Sequence, residues 1–100
     1  MADPIPMHAP YARAAAVVAR DGTLEKTKNI LSVEKTGGGT YKVTVAETVD
    51  VTHAALQATA HSSANWGTEV YAKSLDAHAV QVLTGANGKE SAQPFHIAVL

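Results

Sequence analysis

The sequence has no cysteine. That absence excludes a disulfide-stapled scaffold, a thiolate zinc centre and a cysteine nucleophile, and it leaves the redox compartment open. A charge excess is missing too: eight Lys and Arg stand against nine Asp and Glu, for a net charge of −1 and a pI near 6.5. The basic residues are scattered rather than gathered into the stripe a nucleic-acid surface needs, so no nucleic-acid partner is expected. No apolar run approaches the length of a membrane span, and no membrane partner is expected either. The opening residues, MADPIPMHAP, have neither a basic n-region nor an apolar h-region and do not read as a signal peptide. Cytoplasmic synthesis follows, with assembly into a virion or other particle left open.

Aromatic residues are few, five in 100, and 19 of the 46 hydrophobic residues are alanine. A chain of this length buries only about two-thirds of its surface, and alanine adds little area per residue. This composition predicts a thin core relieved by self-association, with a compact alanine-rich sandwich as the alternative.

What is present is a repeated strand signal. In residues 29–50, Leu31 and Val33 alternate with Ser32 and Glu34, and Tyr41, Val43 and Val45 alternate with Lys42 and Thr44. Period two sends one set to a buried face and the other to water. Gly37, Gly38 and Gly39 lie between the two runs, where positive φ is expected at a tight reversal. Residues 11–20 carry alanines that favour helix, but Val17, Val18 and the following Asp21-Gly22 turn signal favour strand. Residues 23–28 read as a polar connection carrying Leu24. Further strands are expected over 51–61, 68–74, 78–84 and 93–100, the last with Phe95, Ile97 and Val99 on one side and lying in the interior of a sheet. About seven short strands with turns between them indicate one all-β domain over residues 11–100, an antiparallel sandwich or barrel. Pro4, Pro6 and Pro10 predict an extended arm over residues 1–10, either frayed or laid on a neighbouring subunit through Ile5 and Met7.

Candidate chemistry is sparse. Five histidines raise the question of a metal, and His78 and His96 would approach each other, with Asp76 near, if their strands paired. No His-x-His or His-x-x-x-His spacing occurs, and zinc takes three or four ligands, so no metal or other cofactor is expected. No Gly-x-Ser-x-Gly elbow marks a nucleophile, and His61-Ser62-Ser63 reads as a strand end entering a loop; no enzyme is expected. The run from Gly85 to Ser91 places Glu90 where a phosphate loop needs Ser or Thr, and reads as a turn. Trp66, in a polar loop between Asn65 and Gly67, is either tucked over the end of the core, the more ordinary outcome, or exposed as a binding platform that Tyr71 extends.

Residues 19–24 (ARDGTL), Ser32-Val33, the run TGGGTYKVTV over 36–45 and the ending PFHIAV over 94–99 together resemble a small β-domain recurring in uncharacterised actinobacterial proteins and in phage virion or fibre-like proteins. Many members of that group carry cysteines near the start of the central strand and at the C-terminus, where this chain has Val51-Thr52-His53 and Leu100. The departure fits a particle assembled inside a cell. The resemblance, with the thin core, implies a non-enzymatic structural module that self-associates, a trimer foremost, and that meets other virion or assembly proteins; the residues themselves offer Ile5, Met7, Tyr11 and Leu100 as the contacts. The alternative is a carbohydrate-binding module that meets glycans through Trp66, Asn65 and Tyr71.

Overall fold

The computed structural model describes residues 4–100, and these form ten strands: β1 (Ile5–Pro6), β2 (Ala14–Val18), β3 (Leu24–Lys28), β4 (Ile30–Lys35), β5 (Thr40–Val45), β6 (Leu56–Ala60), β7 (Thr68–Asp76), β8 (Ala79–Ala86), β9 (Lys89–Glu90) and β10 (Phe95–Val99). One sheet has the order β1-β3-β2-β10-β6; the other runs β4-β5-β8-β7, with β9 added to β8. All pairings are antiparallel except β1 with β3. The two sheets enclose one core, so the domain is the expected all-β sandwich, with three strands more than the sequence suggested: β1, β3 and β9.

Strand β3 replaces the connection expected over 23–28. Its sequence, LEKTK, hides it, because Glu25 and Lys26 face water. The reason it forms lies in β2, all five of whose residues are buried. The backbone edge of a strand buried on both faces must be hydrogen-bonded, and β10 satisfies only one side. Asp21 and Gly22 make the turn between β2 and β3 as expected: Gly22 takes φ +92°, and the Asp21 carboxylate accepts the Thr23 N–H at 2.9 Å.

Two expectations in the 30–45 hairpin are corrected. Ile30 pairs with Val45 but Ser32 pairs with Thr44, so Leu31 is an extra residue in β4. This bulge turns Leu31 outward, 62% exposed, and gives the core Ile30 in its place, while Val33 keeps its inward position. None of the three glycines at 37–39 has positive φ. Glycine is needed at Gly39 for close approach: a Cβ there would fall on the Thr84 carbonyl oxygen of β8.

The chain over 51–61 becomes a strand only at Leu56. Val49 and Val51 close the floor of the sandwich from the preceding connection, Val51 being held by its N–H to the Ala77 carbonyl and by the Ser74 hydroxyl on its own carbonyl. On the far side Phe95, Ile97 and Val99 are buried and β10 sits between β2 and β6, an interior strand as expected. The radius of gyration is 12.3 Å, against about 13 Å for a compact chain of 100 residues. No buried side-chain polar atom among the described residues lacks a hydrogen-bond partner. The compact alanine-rich sandwich is therefore what one chain builds, and filling the core does not itself call for a second copy.

The described part of the proline-rich segment, residues 4–10, lies along its own domain; residues 1–3 of the expected arm lie outside the described residues. Ile5 and Pro6 run parallel to Lys26 and Thr27, the Met7 N–H donates to the Thr27 carbonyl, and Lys28 Nζ donates to the Ala9 carbonyl at 2.7 Å. Proline is tolerated there because β1 is an edge strand.

Candidate functional site

The loop between β6 and β7, residues 61–67, emerges at the end of the sandwich where the 19–23 and 87–93 segments also meet. Its backbone is tied down on both sides of Trp66. The Asn65 N–H donates to Gln93 Oε1 at 3.1 Å, and the Asn87 N–H donates to the Gly67 carbonyl at 3.0 Å. Gly67 takes φ +78°, and a Cβ there would meet Asn87 Oδ1. Earlier in the loop the Ser63 N–H donates to His61 Nδ1 at 3.1 Å. Gln93 is the hub: it is 1% exposed, its Oε1 also accepts from Arg20 Nη2 at 3.2 Å, and its Nε2 donates to Ser91 Oγ at 2.9 Å.

On this fixed loop Trp66 is 97% exposed. The tucked position is thus corrected: with the flanking amides already engaged, the backbone carries the indole away from the core. A shallow depression of about 320 Å³ lies beside it, bounded by His61, Ala64, Asn65 and Thr68.

Tyr71 stands on the outer face of β7, 58% exposed and directly opposite Leu83 of β8. Its hydroxyl donates to Glu69 Oε2 at 2.8 Å, and Glu69 Oε1 accepts the Gly88 N–H at 2.8 Å. These bonds, the Tyr71 one first, hold the Glu69 carboxyl below its usual range, and the same bond raises the Tyr71 hydroxyl. Trp66, Asn65 and Tyr71 are therefore joined through one turn: Asn87 grips the loop and Gly88 grips Glu69. The other candidates fall elsewhere. Tyr11, 94% exposed, and Leu100, whose carbonyl accepts from Arg13 Nε and Nη2, lie at the opposite end; Ile5 is exposed on the β1 edge and Met7 is half-buried.

Glu69 is two residues from Tyr71, a spacing that already places both on one outward strand face in the sequence. His96 stands out in the sequence as a histidine, but nothing local pairs it with His61, and Gln93 carries no local signal. His96 does not meet His78, because β8 and β10 belong to different sheets; His78 Nδ1 lies 2.8 Å from the Val49 carbonyl instead. His96 stacks on His61, with ring centroids 5.2 Å apart and planes 16° from parallel. No group of three or more His, Asp or Glu among the described residues is placed to hold a metal. Ser63 Oγ lies 2.9 Å from His61 Nδ1, but that nitrogen already takes the Ser63 N–H and no carboxylate bonds to the ring among the described residues. The pair closes a turn and is not set up as a nucleophile.

Burial first, then the neighbouring His61 and Lys26, lowers the pKa of His96. A base whose folded pKa lies below its unfolded one binds fewer protons when folded, so stability is full above the unfolded value near 6.5 and declines as pH falls through it to the folded value. The thermal midpoint should therefore drop between about pH 7.5 and about pH 5.5, above the range where carboxylates titrate. His96→Phe should flatten that slope. A wild-type midpoint constant across this range would mean that folding does not hold the His96 pKa below its ordinary value.

No family model, no curated protein and no solved structure matches the chain.

Proposed function

We propose that the protein is a non-enzymatic assembly module, a β-sandwich that joins copies of itself on a particle such as a phage virion or fibre. The observation that carries this reading is Trp66, in water on a loop whose backbone is pinned on both sides. An indole left in solvent forgoes about 2–3 kcal/mol of burial. Exposed aromatics held on a rigid frame are what protein interfaces use as anchors, because little conformational entropy is lost on docking. A cyclic trimer joins two different patches of each chain. This chain offers Trp66 at one end and Tyr11 with Leu100 at the other.

Trp66 is the only tryptophan, so its fluorescence reports the interface directly. Raising the protein concentration should shift its emission to the blue as the indole leaves water, in step with a rise in mass by light scattering. Trp66→Ala should return the mass to that of the monomer while leaving the melting temperature of the monomer unchanged. A wild-type protein that stays monomeric at its highest soluble concentration refutes self-assembly through this face.

A further inference from the structure

A second depression, about 260 Å³, lies on the outer face of β7 and β8 where the β8–β9 turn folds over it. Its lining includes Thr40, Glu69, Tyr71, Leu83, Gly85 and Lys89. We propose that it binds one ring of a neutral saccharide, stacked on Tyr71 with its hydroxyls donating to Glu69.

The geometry supplies both halves of that recognition. The Tyr71 ring cannot swing freely, because its hydroxyl is tied to Glu69 Oε2. It presents a flat apolar face, extended by the exposed Leu83 opposite it, and such a face suits the C–H side of a pyranose. Among the described residues each Glu69 oxygen is engaged by a single donor, Gly88 N–H or Tyr71 O–H, and a carboxylate oxygen has capacity for more. Those free lone pairs are acceptors for sugar hydroxyls, in bonds strengthened by the carboxylate charge. The floor stays low because Gly85 has no side chain, and none is permitted: a Cβ there would come within 2.6 Å of the Lys89 carbonyl oxygen.

Other ligand classes fit less well. An extended peptide would add to a strand edge, and the edge this sheet offers here is the far side of β7, whereas the depression lies on the sheet's face over β8, whose two sides are taken by β7 and by β5 and then β9. An anion would meet the Glu69 and Glu90 carboxylates, and a metal ion would lack a third protein ligand among the described residues. The volume is below the roughly 300–1,000 Å³ typical of sites for drug-sized ligands, which limits the occupant to about one ring. Affinity for a single ring should be weak, on the order of 1 mM.

The test is an amide NMR titration of the whole chain with maltose, cellobiose, lactose and N,N′-diacetylchitobiose, carried into the tens of millimolar. At least one should shift the signals of Tyr71, Leu83, Gly85 and Gly88. Tyr71→Ala, at an exposed position whose spectrum also reports that the fold is intact, should weaken that response about tenfold. Glu69→Gln should weaken it too. Trp66→Ala should leave it unchanged, which separates this site from the assembly face. Two results would overturn the proposal: no response to any of the four sugars, or shifts centred on residues 64–67 that persist in Tyr71→Ala.

Discussion

Phe95→Ala is expected to cost about 3–5 kcal/mol, out of the roughly 5–15 kcal/mol that a domain of this kind possesses. Phe95 is the only phenylalanine, is fully buried, and packs against Tyr41 with ring centroids 5.0 Å apart and planes tilted by 58°. That contact joins the two sheets, since Phe95 belongs to β10 and Tyr41 to β5. Val18 of β2 and Ala60 of β6 lie directly opposite Phe95, and Tyr41 is held by its hydroxyl on the Arg20 carbonyl, so no large neighbour is free to fill the space. Truncation after Gln93 should do more. It removes the strand bonded on one side to β2 and on the other to β6, and leaves both with an unpaired edge. Urea unfolding followed by circular dichroism checks both variants. A truncated chain that still melts cooperatively near the wild-type temperature would place the core elsewhere.

Gln93→Ala is expected to lower stability by about 2–4 kcal/mol, a large value for one polar side chain. The amide is buried and ties the turn after β2, through Arg20, to the Trp66 loop, through the Asn65 N–H, and to Ser91 ahead of β10. Its own backbone N–H donates to the buried Thr84 hydroxyl. Removing the side chain leaves a void and strips partners from groups that water reaches poorly. Gln93→Leu keeps the volume and loses only the hydrogen bonds, so it should rescue little. Amide exchange at Asn65 should quicken in both variants, because the loop loses the bond that holds it. A Gln93→Leu variant as stable as the wild type, with slow exchange at Asn65, would show that packing alone organises this end.

The role of Gln93 also shows where reading from the sequence stops. A glutamine before a proline carries no local mark of burial, and the two donors to its Oε1 are 73 and 28 residues away along the chain. The aromatic members of the candidate site were legible, since Trp66 and Tyr71 stand out in polar surroundings. Their connection was not, because it runs through Asn87 and Gly88 in a turn that sequence identifies only as a turn. The same holds for His61 and His96, whose stacking depends on the end of β6 lying beside β10.

Alternation was sufficient for β5 and β10. Tyr41, Val43 and Val45, and Phe95, Ile97 and Val99, face the core because a strand with no inserted residue repeats every two positions. The all-β class and the Asp21-Gly22 turn followed from equally local chemistry. Packing decided the rest. One extra residue in β4 reversed the expected face of Leu31, since a shift by one exchanges the two sides of a strand. Polar β3 became a strand because the buried edge of β2 required hydrogen bonds, and Gly39 became necessary because the Thr84 carbonyl lies against it. Trp66 stands in water because bonds from Gln93 and Asn87 fix its neighbours. Each of these outcomes depends on groups brought together from distant parts of the chain, and local propensity carries no information about them.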